Sequence, residues 1–352
     1  MRRLAAPFAA LAVTLALAAP TLACGGLIGP NGAVNLLRTT TLAGYHDGIE
    51  HYVTAFEFAG GGGAFGSIIP LPGVPSSVVR GGDWTLQRLV RETDPPTLFF
   101  AAAAGAADSR AEVLQQVRID ALDITILKGG GAEIGVWAKE HGFSLPPDAP
   151  EVLDFYASRS PIFMAASFDA DAAAARGQAI GDGTPVHLTI PTDNPWVPLR
   201  ILALGKSAAE AIQADVYLLT DDRPALLPAP GSKLAEGGLT LAHSDAASAG
   251  LLTDLRTDKG MEWVPQDAWL TKIEIDSTAS NLRFDLAIDA SGAGKPSMRD
   301  AGFAPFGPLP APQTWTLLWV ALLTVSLAVP LGGGLLLAHA MRNGGGGRPL
   351  AS

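Results

Sequence analysis

The feature that most constrains this chain is an uncharged apolar stretch near its C-terminus, Leu317 to Ala340, which contains no Asp, Glu, Lys or Arg. At about 1.5 Å per residue, a helix of this stretch reaches roughly 36 Å, enough to cross a bilayer core of about 30 Å with some tilt. Trp315 and Trp319 lie at its front edge, where aromatic rings favour the headgroup region. We therefore expect a transmembrane helix over residues 315–341, although a sorting signal that is later removed would show the same pattern.

The N-terminus has the three parts of a secretory signal peptide. Arg2 and Arg3 precede an apolar run from Leu4 to Ala19, and small residues follow near Ala23. This composition predicts a signal peptide over residues 1–23 and export of the chain.

Cys24, the only cysteine, would be the first residue after cleavage at Ala23. A disulfide within the chain is therefore excluded, and the core must come from apolar burial. Lipidation of Cys24 would require residues 21–24 to act as a lipobox, in which Thr21 and Leu22 fit poorly. We expect ordinary cleavage, with lipidation of Cys24 as the alternative.

The two ends together predict a topology. Arg342 and Arg348 follow the apolar stretch without any acidic residue, so the tail, residues 342–352, is expected in the cytoplasm. A proline-rich stalk over residues 303–314 would join the membrane helix to an extracytoplasmic domain, residues 24–302. The lipid bilayer is thus a predicted partner, reached through the C-terminal helix, and the predicted location is the cell membrane with a single pass.

The charge of the chain excludes some partners. The four arginines at the two ends account for four of 24 basic residues, which leaves 20 basic against 34 acidic residues in the exported part. A surface this acidic argues against nucleic acid as a partner and against docking on anionic lipid.

Hydrophobic patterning predicts an α+β domain, mostly an antiparallel sheet with inserted helices. Asp47-Gly48 between two β-rich runs is a strong hairpin signal. Helices are expected at Asp83–Glu92 with Asp83 as N-cap, at Ala132–His141 with Gly142 as C-cap, at Glu151–Ser158, and at Ser244–Leu255 with Ser244 as N-cap. Strands are expected at 36–42, 51–58, 65–70, 123–127, 163–168, 187–190, 199–204, 215–219, 269–275 and 281–288.

Motifs for catalysis or cofactor binding are absent from the sequence. Gly61 to Gly66 formally matches GxGxxG, but strand and proline residues follow where a nucleotide site needs a helix. There is no HExxH motif, zinc-spaced cluster or GxSxG elbow, so we nominate no catalytic residue and no cofactor. One metal hypothesis remains: His46, Glu50 and His51 flank the predicted hairpin turn and could converge, although polar residues commonly flank turns.

Several segments in order resemble a bacterial family known as domain of unknown function 2330. They are Ala23 to Gly26, Ile69 to Pro75, Gly129 to Trp137, Glu140 to Pro146, Phe155-Tyr156, Pro198 to Arg200 and Val216 to Asp221. The resemblance covers residues 24–225 well and the remainder weakly. Members often carry a second cysteine soon after Cys-Gly-Gly, whereas Gly29 occupies that position here. The resemblance implies an exported, often membrane-anchored protein with no assigned activity, so it supplies no catalytic residue.

These observations favour a non-catalytic envelope or surface module that binds an unknown partner or has a structural role. The alternative is an extracytoplasmic, metal-assisted enzyme that uses His46, Glu50 and His51. Whether the protein is an enzyme stays open, with the missing motifs weighing against it.

Overall fold

The computed structural model describes residues 26–29, 32–33, 38–56, 66–94, 112–169, 184–235, 238–290 and 296–303. The predicted signal peptide, Cys24, the stalk after Phe303, the transmembrane helix at 315–341 and the tail at 342–352 all lie outside these residues. None of the described helices is long and apolar enough to cross a membrane.

The Asp47-Gly48 hairpin is confirmed. Both residues have positive φ, 51° at Asp47 and 77° at Gly48, as the turn with the correct twist requires. The turn joins β3 (Arg38–His46) to β4 (Ile49–Phe56), and its register places Tyr45 opposite Glu50 and Gly44 opposite His51.

Sixteen strands are described, in three sheets. The first sheet has the order β2-β1-β5-β9-β8-β7, the second β14-β15-β12-β3-β4-β10-β6, and the third β11-β16-β13. Every pairing between described strands is antiparallel except that of β12 with β3, so the mixed, mostly antiparallel α+β class is confirmed. The remaining strands are β1 (Gly26–Gly29), β2 (Gly32–Ala33), β5 (Gly66–Leu71), β6 (Ser77–Arg80), β7 (Glu112–Ile119), β8 (Leu122–Lys128), β9 (Ile162–Phe168), β10 (Thr184–Pro191), β11 (Trp196–Val197), β12 (Ala211–Thr220), β13 (Ala225–Leu227), β14 (Leu239–Ala246), β15 (Trp269–Thr278) and β16 (Leu286–Asp289).

Four α-helices are described: α1 (Thr85–Thr93), α2 (Gly131–Glu140), α3 (Ala149–Ala157) and α4 (Ala249–Thr257). Two short 3₁₀ helices occur at Arg200–Ala203 and Lys233–Ala235.

The described elements form four layers. Alternate residues of each strand point to opposite faces, so the two large sheets pack their inner faces on one shared apolar core. The outer face of the first sheet packs against α2 and α3. The outer face of the second sheet packs against α1 and α4. The central strands of the two large sheets are therefore covered on both faces, and polar side chains on these strands lie in the interior.

Three of the predicted helices and strands differ from those of the structure. The predicted strand at 199–204 is instead a 3₁₀ helix at Arg200–Ala203 with a cap residue on either side. The predicted helix at 244–255 divides into the end of β14 and α4, whose N-cap is Ser248 instead of Ser244, with the Ser248 hydroxyl accepting from the Leu251 amide at 3.1 Å. The proposed strand at 281–288 begins only at Leu286.

Asp83 is not the N-cap of α1. The side chain of Asp83 pairs with Arg80, and Asp258 accepts hydrogen bonds from the Asp83 and Trp84 amides at 3.1 and 2.9 Å. Because Asp258 directly follows α4, this carboxylate caps one helix from the end of the other and holds the outer layer together. For α2, Gly142 follows the last turn with φ of 79°, the left-handed conformation expected of a terminating glycine.

Trp263 lies on the outer face of the second sheet over Gly44. A Cβ on Gly44 would lie 2.8 Å from Cζ3 of Trp263 and closer still to Cη2, so only glycine admits the indole. We predict that Gly44→Ala destabilises the protein by about 1–3 kcal/mol, the usual cost of overpacking. Chemical unfolding of the full chain in detergent measures this change.

Gly135→Ala is the matched control. A Cβ there meets only Leu145 Cδ1 at 3.5 Å, an ordinary contact, and Gly135 lies inside α2. Alanine should stabilise this helix by up to about 1 kcal/mol. A Gly44→Ala protein as stable as the parent chain would contradict the packing described here.

Candidate functional site

The hairpin does not bring His46, Glu50 and His51 together. His51 stacks on Trp263 at the outer face of the second sheet, and its neighbour Glu50 points to the inner face beside the shared core. Within the described ranges, no group of three or more His, Cys, Asp or Glu side chains has the geometry to hold a metal ion. The carboxylate and the two imidazoles therefore belong to different environments.

His46 forms a surface pair. Its Nδ1 lies 2.6 Å from Oδ1 of Asp221, and its Nε2 lies 3.5 Å from Oδ2 of Asp47. About a third of its side chain is exposed. These contacts join the hairpin turn to the end of β12.

His51 forms a buried pair with His187 of β10, which the sequence did not single out. Nδ1 of His51 and Nε2 of His187 are 2.9 Å apart, and the His51 ring stacks on Trp263 at 3.8 Å between centroids. Burial lowers the pKa of His51 to about 3, helped by the charges of His187 and His46. Burial also lowers the pKa of His187 to about 4, opposed by the Gly260 backbone. Both rings are neutral at pH 7, and one nitrogen of the pair donates to the other.

Glu50 is an ionisable residue that lies completely buried on the inner face. It is 0% exposed, and its carboxyl group has no side-chain partner among the described residues. Burial raises its pKa to about 8, and a hydrogen bond from the backbone of Trp196 lowers the pKa in part. At pH 7 the carboxyl group is therefore mostly protonated, as the high cost of burying an unpaired charge requires.

A cavity of about 350 Å³ opens beside Tyr45. One wall is Tyr45, the cross-strand partner of Glu50 on the inner face, whose hydroxyl donates to the Thr192 carbonyl at 2.9 Å. The other walls are residues 193–195, residues 287–290, and Pro296, Ser297 and Asp300.

Backbone hydrogen bonds hold these walls in place. The amide of Ile288 in β16 donates to the Pro195 carbonyl at 3.0 Å, which joins two sides of the cavity. Ser297 and Asp300 close a turn, because the Asp300 amide donates to Oγ of Ser297 and that hydroxyl donates to the Asp300 carboxylate. These hydrogen bonds fix the positions of two parts of the described lining.

A buried ion pair anchors β16 behind the cavity. Oδ1 of Asp285 accepts from the Tyr156 hydroxyl and the amides of Leu199 and Arg200 at 2.7–3.0 Å. Its other oxygen accepts from Arg159, and both side chains are almost fully buried, at 0% and 2% exposed. The start of β16 is thereby fastened to α3 and to the 3₁₀ helix.

The described lining of the cavity is rich in carboxyl groups. Its described lining contains Asp193, Asp289 and Asp300 and no Lys, Arg or His side chain. Partial burial raises the pKa of Tyr45, and the nearby charges of Asp193, Glu50 and Asp289 raise it further.

A family model matches most of the chain. The model of a family described as an uncharacterized protein conserved in bacteria, DUF2330, matches residues 18–288. No curated protein matches the sequence.

Solved structures offer only distant likenesses. A mutated baculovirus P35 after caspase cleavage is 8% identical, with a TM-score of 0.36, over 72% of this chain and 99% of that one. P35 in complex with caspase-8 is 6% identical, with a TM-score of 0.37, over 72% of this chain and 96% of that one. TM-scores below 0.5 say nothing about what this chain does.

Glu50→Gln is predicted to remove a pH dependence of stability. The pKa of Glu50 rises from 4.5 to about 8 on folding, so the folded chain keeps a proton that the unfolded chain releases between these values. The resulting stabilisation is complete below pH 4.5 and is lost as the pH rises through 8. Glutamine cannot ionise, so the free energy of unfolding should decline less between about pH 5 and pH 9.

Urea unfolding of the full chain in detergent across this pH range measures the effect. Glu140→Gln, at an exposed position of α2, is the control and should leave the pH profile unchanged. Parallel profiles for Glu50→Gln and the parent chain would show that Glu50 does not carry the proton.

Proposed function

This chain belongs to DUF2330, a family of uncharacterized proteins conserved in bacteria, and on that premise we propose that it is a non-catalytic binding module displayed on the outer side of the cell membrane. The N-terminal signal pattern and the uncharged stretch at 317–340 support this location. The folded part, in this proposal, faces the extracytoplasmic space and meets its ligand there.

The cavity beside Tyr45 is the observation that carries the binding role. It is concave, has about the volume at which small-molecule sites begin, and gathers carboxylates, an amide, a hydroxyl and a phenol around one space. Its walls come from β3, from the loop before β11, from β16 and from a turn that contains Pro296, Ser297 and Asp300. Hydrogen bonds and strand pairing hold the first three in the sheets. A rigid site of this kind suits recognition, since little ordering is needed when a ligand enters.

Filling the cavity tests the binding role. Asn194 is exposed and lines the cavity, so Asn194→Trp should occupy it without disturbing the core. We predict that at least one compound of a panel of small amines, carboxylates, sugars and amino acids raises the melting temperature of the full chain in detergent, and that Asn194→Trp abolishes this rise.

Ala209→Trp is the matched control, because Ala209 is exposed in a turn before β12, at the opposite end of that strand from the row containing Tyr45. It should respond to the panel as the parent chain does. A panel without any hit, or hits that persist in Asn194→Trp, would contradict a binding role for this cavity.

The predicted topology has its own test. A fluorescent reporter that matures only in the cytoplasm, fused after Ser352, should be bright, and alkaline phosphatase fused there should be inactive, because the positive tail is expected inside. Active phosphatase at that position would overturn the orientation.

A further inference from the structure

The outer face of the second sheet carries a cluster of three rings, His51, His187 and Trp263, that the proposed binding role does not use. Residues 258–264, the latch segment, lie between α4 and β15 and include Trp263. We propose that the three rings form an acid-sensitive latch, which holds the latch segment on the sheet while both imidazoles are neutral and releases it when both are protonated. The latch does not involve the cavity, so it is independent of the binding role.

Strand pairing brings the two histidines together. His187 of β10 pairs with Val53 of β4, two residues from His51, so the imidazoles are diagonal neighbours on one face of the sheet. Nδ1 of His51 lies 2.9 Å from Nε2 of His187, a hydrogen bond between two ring nitrogens. Such a bond needs one nitrogen with a proton and one without, so it cannot survive when both rings are fully protonated.

Trp263 joins the histidine pair to the latch segment. Its indole is stacked on the His51 ring at 3.8 Å and tilted against the His187 ring at 6.1 Å between centroids. The indole also covers Gly44, the cross-strand neighbour of His51 on β3. The indole therefore rests on the imidazole of His51, and displacement of that ring removes its support.

The backbone around the pair is packed too closely to accept rearranged rings. A Cβ on Gly81 would lie 2.9 Å from Cβ of His187, and a Cβ on Gly260 would lie 3.2 Å from Cα of Gly81. The latch segment thus lies against the loop after β6, which in turn lies against His187. Two imidazolium rings that turn away from each other find little space here, so we expect the latch segment to move instead.

Burial makes the protonated rings costly in the closed state. It lowers the pKa of His51 to about 3 and that of His187 to about 4, from an ordinary value of 6.5. Once the latch segment is released, both rings meet water and recover ordinary pKa values. The closed state is therefore favoured fully above about pH 6.5, and this preference is lost as the pH falls towards 4, because the open state binds up to two more protons.

Two nearby charges act on the pair in opposite directions. The charge that His46 of β3 gains in acid lowers the pKa of His51 further. Glu262 of the latch segment raises the pKa of His187, as the backbone of Gly260 does more strongly, and together they offset burial only in part. Protonation of the pair therefore stays unfavourable in the closed state.

The other charged groups on the adjoining elements are engaged elsewhere. Arg80 of β6 pairs with Asp83 and Asp120. Asp258 accepts hydrogen bonds from backbone amides at the start of α1, and the side chain of Lys259 is exposed. In the described part of the chain these side chains make their contacts away from the imidazoles, so the pair itself controls release.

Met261 is the reporter that tests this inference. It lies within the latch segment and is 0% exposed. Met298, 47% exposed, is the accessible reference, and Met164, buried in the shared core, reports unfolding of the whole domain. Hydrogen peroxide converts accessible methionine to the sulfoxide, and mass spectrometry of the full chain in detergent follows each residue separately.

We predict that oxidation of Met261 accelerates by more than tenfold per pH unit as the pH falls from about 6.5 to about 4, because release takes up two protons. Met298 should be oxidised at an unchanged rate, and Met164 should stay protected. His51→Gln and His187→Gln each leave one titrating ring, so each should reduce the acceleration to about tenfold per pH unit or less.

His243→Gln is the matched control, because His243 lies on β14, at the opposite edge of the second sheet from β6. It should leave the pH profile of Met261 unchanged. Protection of Met261 down to pH 4, an acceleration of only tenfold or less per pH unit in the parent chain, or an unaltered profile in both single variants would overturn the latch. Oxidation of Met164 together with Met261 would show acid unfolding of the whole domain and would overturn it as well. The measurements on the parent chain need no substitution, so they decide the matter even if a variant does not fold.

Discussion

The buried carboxylate of Asp285 is the interaction on which the arrangement of the cavity depends. It accepts hydrogen bonds from two backbone amides and the Tyr156 hydroxyl, and it pairs with Arg159. Both of its buried oxygen atoms therefore have hydrogen-bond donors. Breaking a buried pair of this kind typically costs about 3–5 kcal/mol, because the remaining charge is left uncompensated. Since β16 starts at the next residue, this anchor fixes where Asp289 faces the cavity.

The fold was predictable where local patterns decide it. The turn at Asp47-Gly48 needs two positive φ angles. Asp and Gly both tolerate this conformation, so the dipeptide predicts the hairpin from the sequence. Residues 239–246 show the limit: their apolar periodicity is weak, and β14 exists because it pairs along β15, a partner distant in sequence. Likewise, residues 199–204 look like a strand, but hydrogen bonds to Asp285 and Tyr156 wind them into a 3₁₀ helix.

The site was predictable only in part, for a related reason. His46, Glu50 and His51 are conspicuous in the sequence, but strand alternation sends Glu50 to the inner face and His51 to the outer one. His187 and Trp263 join His51 only through strand pairing and loop packing. Asp193 and Asp289 carry no local motif, so their approach to Tyr45 depends on the tertiary fold alone.

The cavity beside Tyr45 carries the central claim, that this part of the molecule is a binding site for a small molecule. A structure of the full chain determined with a compound that raises its melting temperature tests this claim most directly. We predict that the compound lies in the cavity, with one of its polar atoms about 2.7–3.2 Å from the side chain of Asp193 or Asn194. A compound bound elsewhere, with the cavity left empty, would contradict the account.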